Sequence, residues 1–236
     1  MQSNSYVSFV SDKNFLECVE WVCDAYPKPE KVKDIVFLKN TRVDPFKMVF
    51  DMYNGNLDTN AWIIKEKMRQ ADKTVNNRIG DFHQKLLGCV DGWEDLGRGH
   101  PSEVDLKNED DSIFIELKNK FNTMNSSSLS KCRDKLEKIT EDYPKATGYW
   151  AYIVSRDGSS GEEIWVYNRM GKQFFNPRVK VIWGNNVYAL VTGDPNALEA
   201  TWNAIPRAIK DLRGSKLILN DLDKEILNTF SNYVFK

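Results

Sequence analysis

Near the start of the chain, apolar residues recur every three or four positions; further on, they recur every second position. Phe15, Val19, Val22 and Tyr26, following Ser11 as a cap, predict an amphipathic helix from Ser11 to Tyr26 that Pro27 and Pro29 end. Val43-Asp44-Pro45-Phe46-Lys47 opens a short second helix. From Thr59 to Leu87 the helical period returns, with Val75, Ile79, Phe82 and Leu86 on one stripe and Gly88 as its stop.

Beyond a loop from Asp91 to Pro101 the period changes to two. Glu103 to Lys107 alternate polar and apolar residues, and Asn108 to Asp111 form a turn-like cluster. The β-branched and aromatic run Ile113-Phe114-Ile115-Glu116-Leu117-Lys118 then reads as a central strand, paired antiparallel with the preceding one. A helix from Ser128 to Ile139 and a strand from Tyr149 to Val154 follow. Strands are expected at Glu163 to Tyr167, Val179 to Ile182 and Val187 to Val191, and helices at Asn196 to Leu212 and Leu222 to Tyr233. The class is α/β, and 236 residues suffice for one domain with a well-buried core. Residues 1–58 form an N-terminal helical part, 59–155 the core, and 156–236 a β-rich and then helical C-terminal part.

Composition narrows the setting. No apolar run is long enough to span a bilayer, and the polar start Met1-Gln2-Ser3-Asn4 does not resemble a signal peptide, so a soluble intracellular protein is expected. Cys18, Cys23, Cys89 and Cys132 are scattered without a CxxC pair, which fits buried, inert, reduced thiols. The net charge of −1 argues against a protein that coats nucleic acid by bulk charge, but local clusters exist. Residues 116–138 hold Lys118, Lys120, Lys131, Arg133, Lys135 and Lys138 against Glu116, Asp134 and Glu137, while 169–183 hold four basic residues and no acid. No GxxxxGK[ST] phosphate loop is present, which removes an ATP-driven nuclease from consideration.

Strand alternation places Glu116 and Lys118 on one face, turned outward, and Ile113, Ile115 and Leu117 on the other. Matching the apolar faces of the hairpin brings Asp105 to the side of Glu116 and Lys118, opposite or diagonal to Glu116. Two carboxylates so placed can share a hard divalent cation, and Mg2+ takes one or two carboxylates plus water and substrate phosphate. The Leu117 carbonyl is a third candidate oxygen, and Lys118 would orient water and stabilise developing negative charge. An overlapping triplet, Asp105-Leu106-Lys107 with Asp95 upstream, offers the same chemistry on a less apolar strand, and Glu103 is a candidate auxiliary ligand.

Asp105, a ten-residue gap and Glu116-Leu117-Lys118 resemble the PD-(D/E)XK nuclease motif, with Val104 where the name-giving proline would stand. The element order resembles that superfamily's αβββαβ core, a mixed central sheet flanked by helices, here with helical and β additions at both ends. A short first strand is expected near Trp93 to Leu96. Ile79-Gly80-Asp81-Phe82-His83-Gln84, Leu86-Leu87-Gly88 and the run from Glu116 to Thr123 resemble small type II restriction endonucleases, in particular the subgroup cutting at GGNCC. With Asp44-Pro45-Phe46-Lys47, the likeness spans residues 40–125.

The resemblance implies Mg2+-dependent hydrolysis of double-stranded DNA at a short palindrome by a homodimer, leaving 5'-phosphates. It also implies a cognate DNA methyltransferase, in the cytoplasm of a bacterial or archaeal cell. It suggests Asp81 as a further acid near the metal. Asn119, Lys120, Asn122, Thr123, Asn125, Ser126 and Ser127, following the motif, suit base and phosphate contacts, with Ser126 to Ser128 also serving as a helix cap. Arg169, Lys172, Arg178 and Lys180, interleaved with Phe174 and Phe175, form a second candidate DNA surface or an ordinary basic hairpin. His83 and His100 make no convincing zinc site, and His83 is expected to be structural. The competing readings are a structure-specific repair or recombination nuclease and a DNA-binding module without cleavage.

Overall fold

The computed structural model describes residues 4–26, 43–97, 99–100, 103–169, 171–214 and 217–234. They fall into two compact units, Trp21–Ile79 and the combination of Met1–Glu20 with Gly80–Lys236.

In the first unit, helix α2 (Pro45–Gly55) starts where the Asp44 carboxylate accepts the Phe46 and Lys47 amides, with proline at a position that needs no donor. Asn56 ends it in the left-handed conformation, its N–H donating to the Met52 carbonyl. Asp58 then caps the long α3 (Thr59–Leu87) through the Ala61 amide. Within this unit Trp62 is fully buried and donates its indole N–H to Asp51, while buried Glu66 is held by Arg69 and Gln70.

The second unit is built on a six-stranded mixed sheet ordered β1-β2-β3-β4-β8-β5. Its strands are β1 (Trp93–Asp95), β2 (Leu106–Asn108), β3 (Ile113–Lys120), β4 (Thr147–Val154), β5 (Gly161–Ile164) and β8 (Val179–Trp183). A separate hairpin pairs β6 (Tyr167–Arg169) with β7 (Lys172–Phe174). Strands β3, β4 and β8 run parallel, while β1, β2 and β5 are antiparallel to their neighbours.

Helix α4 (Ser126–Asp142) makes the crossover from β3 to β4 and covers one face, packing Cys132, Leu136 and Ile139 against Phe114, Val104, Ala146 and Val179. Gly148 permits this approach, since a Cβ there would lie 3.1 Å from Leu136 Cβ. The opposite face carries Leu106, Ile115, Leu117, Ala151 and Ile182, all buried. The remaining helices are α1 (Asp12–Cys23), α5 (Asn185–Thr192), α6 (Ala197–Arg213) and α7 (Asp221–Val234). None of the helices among the described residues is long and apolar enough to cross a membrane.

Several expectations change. Pro27 and Pro29 lie outside the described residues; α1 ends at Cys23, and Tyr26 is exposed. Val187 to Val191 belong to helix α5, in which Val187 and Tyr188 are buried together with Val191 one turn later. A short apolar run has no period of its own, and Gly184, at φ 65°, turns the chain out of the sheet just before it. The expected strand from Glu103 begins only at Leu106. Glu103 adopts φ 55°, a left-handed conformation that ends β alternation, so Val104 joins the cluster under α4. Ser126 to Ser128 form the first turn of α4, and the cap is Asn125, whose carboxamide accepts the Ser128 amide.

Candidate active site

At the open end of the β2–β3 hairpin, the register pairs Leu106 with Ile115 and Lys107 with Phe114. Asp105 lies one residue before β2, outside this register. The Asp105 amide donates to the Ile115 carbonyl at 3.0 Å, and its carbonyl accepts the Leu96 amide, tying β1 to the same corner. Asp105 Oδ2 accepts the Leu117 amide at 2.7 Å. Lys118 Nζ lies 2.7 Å from Glu116 Oε1, 3.0 Å from the Leu117 carbonyl oxygen and 3.5 Å from Asp105 Oδ2. Asp105, Glu116, Lys118 and the Leu117 carbonyl are thus brought together.

Their setting is drier than expected. A polar pair turned outward was anticipated, but Glu116 is only 8% exposed because β3 is a central strand covered on both faces. Burial and the nearby Glu116 push the Asp105 carboxyl up, against the pull of Lys118 and the Leu117 amide. Burial works against the charge on Lys118, but Asp105 and Glu116 outweigh it and hold the ammonium above the usual lysine range. Both groups occupy a site where charge interactions are weakly screened.

Two participants were not singled out from sequence. Lys135 on α4 donates to Glu116 Oε2 at 2.5 Å and to the Glu103 carbonyl at 2.5 Å. Its position beside Leu136, on the edge of the buried α4 stripe, was the available signal. Gln84 on α3 donates to Asp95 Oδ1 at 2.7 Å and reaches the Asp105 carbonyl at 3.4 Å. Half-buried Asp81 stands one turn before it on the same helix.

Lys107, of the overlapping triplet, pairs with Asp111 at 2.7 Å and Glu94 at 3.7 Å, on the turn side of the hairpin. Asp95 is engaged by Gln84 and the Gly97 amide. Beside the acids the sheet face becomes aromatic. Trp150 is in register with Glu116 and Tyr152 with Lys118; the two rings lie 5.3 Å apart, and Tyr152 stacks on Trp183 at 6.0 Å.

Lys120, Asn122, Thr123, Asn125, Ser126 and Ser127 are exposed and Asn119 half-buried, continuing from β3 into α4. The second basic group is different. The Arg178 guanidinium donates to the carbonyls of Thr140, Tyr143 and Pro144 where α4 ends, and Lys180 pairs with Glu162 at 2.6 Å, so both serve the fold. His83 is structural, as expected, with Nδ1 lying 2.8 Å from the hydroxyl of fully buried Tyr188. The cysteines are free thiols, with Cys18 and Cys132 buried but Cys23 and Cys89 only half-buried.

Two carboxylates and one carbonyl directed at a single ammonium form an all-oxygen set of the kind a hard divalent cation accepts. Among the described residues no group of three or more His, Cys, Asp or Glu side chains gathers for a metal. Such a pair of acids suits an ion that keeps part of its water shell.

The Eco47II restriction endonuclease family model matches residues 7–213. The chain belongs to this family. It is 34% identical to the type II restriction enzyme Sau96I of Staphylococcus aureus over 218 residues, covering 89% of this chain and 82% of that enzyme. It is 32% identical to the type II restriction enzyme Eco47II of Escherichia coli over 220 residues, covering 90% of each. As a member of the family, the chain is a type II restriction endonuclease, a site-specific deoxyribonuclease acting on double-stranded DNA. The match takes in the hairpin, α4 and the three parallel strands together.

Proposed function

We propose that this restriction endonuclease hydrolyses phosphodiester bonds by a PD-(D/E)XK mechanism centred on Asp105, Glu116 and Lys118. The observation that carries the reading is the convergence of Asp105 Oδ2, Glu116 Oε1 and the Leu117 carbonyl on one cationic position. Asp105, Glu116 and the Leu117 carbonyl would hold Mg2+, with Asp81 a further acid on the adjoining helix. When bound, the ion supplies Lewis acidity toward water and the scissile phosphate. The residues supply the rest. Lys118 orients the attacking water and offsets the charge that gathers on the phosphoryl oxygens. Glu116 keeps Lys118 protonated and aimed, while the Asp105 bond to the Leu117 amide fixes the hairpin at its open end. Water adds at phosphorus as the bond to the 3'-oxygen breaks, leaving a 5'-phosphate and a 3'-hydroxyl.

DNA is engaged by Asn119, Lys120, Asn122, Thr123, Asn125, Ser126 and Ser127, which follow the catalytic strand directly and are mostly exposed. The site read is a short palindrome, GGNCC by the sequence likeness, and a homodimer matches its two-fold symmetry. A DNA methyltransferase of the same specificity would protect the host DNA in the cytoplasm of the bacterial or archaeal cell.

The test is incubation with plasmid DNA in Mg2+ or in EDTA, followed by sequencing of the fragment ends. Discrete cutting at one short palindrome with 5'-phosphate ends, absent in EDTA, is expected. Metal-independent cutting, or ends scattered over the plasmid, would overturn the reading.

A further inference from the structure

We infer that Lys135 is a positioning residue of the cleavage site, locking Glu116 and the entrance of the hairpin together from helix α4. This rests on the reading of Asp105, Glu116 and Lys118 as the cleavage machinery.

The two carboxylate oxygens of Glu116 have separate partners: Oε1 faces Lys118, and Oε2 accepts from Lys135 at 2.5 Å. Without Lys135 the carboxylate is held at one oxygen only, and its terminal torsion, which has a broad rotamer well, is free to turn. The same ammonium bonds the carbonyl of Glu103, the residue held in the left-handed conformation two positions before Asp105. A conformation that L-residues disfavour persists where its surroundings over-determine it, and here Lys135 supplies part of that constraint.

One side chain therefore ties both arms of the hairpin to the helix that crosses over it. Ordinary surface ion pairs contribute little because water screens them and both partners move. Lys135 differs, since its side chain is 19% exposed and its partner's 11%. Its place beside Cys132 and Leu136, whose side chains pack on the sheet, fixes the direction from which it arrives.

The experiment compares the wild-type enzyme with Lys135→Met, Lys135→Gln and Lys135→Arg on DNA carrying the cleaved site. It reads the single-turnover rate at saturating enzyme, specific DNA affinity without divalent ion, melting temperature, and Mn2+ affinity by calorimetry. Lys135→Met and Lys135→Gln are expected to cut at least tenfold more slowly, with DNA affinity within about threefold of wild type, and Lys135→Arg to recover part of the rate.

Mn2+ affinity separates positioning from simple charge. Removing a positive neighbour would by itself tighten binding of a cation, whereas loosening Glu116 weakens it, and severalfold weaker binding is expected. Cutting within twofold of wild type, Mn2+ binding unchanged or tighter, or a rate loss matched by equal losses of DNA affinity and melting temperature would each overturn the inference. If Lys135→Met does not fold, Lys135→Gln decides. Wild-type enzyme that neither binds Mn2+ nor cuts would instead remove the reading on which the inference rests.

Discussion

Asp105 accepts the amide of Leu117 through Oδ2, so one acid of the site also pins the backbone between the other acid and the lysine. Charge and hydrogen bonding can be separated here. Asparagine can still accept the Leu117 amide, whereas alanine leaves that N–H without its partner in a largely buried corner. Asp105→Asn and Asp105→Ala are both expected to lose at least about a hundredfold in cleavage rate while retaining specific DNA binding. Asp105→Ala alone should also lose stability, by about 1–2 kcal/mol in denaturant unfolding. Equal stability of the two variants would mean that the bond to Leu117 carries no weight.

Arg178 gives a prediction of the opposite kind. Its guanidinium meets the carbonyls of Thr140, Tyr143, Pro144 and Ala146 at and just beyond the C-terminal end of α4, placing positive charge at the negative end of its dipole. Arg178→Ala should cost about 2 kcal/mol in thermal or chemical unfolding. At temperatures where the variant is folded, its DNA affinity should stay within about twofold of wild type. Unchanged stability with strongly reduced, salt-dependent DNA binding would return Arg178 to the DNA surface.

Lys120 is exposed at the last position of β3, and its carbonyl is held by the Thr123 hydroxyl, so its ammonium is presented from an ordered turn. If it meets a phosphate, Lys120→Ala should weaken binding of specific and unrelated DNA alike. The slope of log affinity against log salt should fall by about one. Asn122→Ala should instead narrow the gap between specific and non-specific affinity. An unchanged salt slope would take Lys120 off the phosphate backbone.

The long helix and the hairpin were legible in the sequence because each is strongly periodic. Thr59 to Leu87 hold one apolar stripe, and the apolar alternation of β3 marked it as central, with Glu116 and Lys118 on one side. Alternation gave their side but not their exposure: Glu116 is buried because α4 folds back over it, a long-range fact without local signal. The same holds for Lys135 and Gln84, which reach the site from helices and are, in sequence, ordinary polar residues beside apolar stripes. Val187 to Val191 were misread as a strand because a five-residue apolar run fits a buried helix face as well as a strand, and only the turn at Gly184 decides between them.

His83 provides a pH-dependent test away from the chemistry. Burial pulls its imidazole down to about 4, while the unfolded chain titrates near the ordinary value of about 6.5. Above that ordinary value both states are neutral and stability does not depend on this group. As pH falls from there toward 4, the unfolded chain takes up a proton that the folded one resists, so stability is lost through that window. Between about pH 7 and 4.5 the loss from His83 alone should be about 2 kcal/mol. His83→Gln can still meet the Tyr188 hydroxyl but cannot titrate. Its unfolding free energy, followed by denaturant melts at several pH values, should therefore fall less than that of wild type over the same range. Parallel pH profiles for the two proteins would mean that His83 is protonated in the fold as readily as in the open chain, and that its bond to Tyr188 does not depend on the neutral ring.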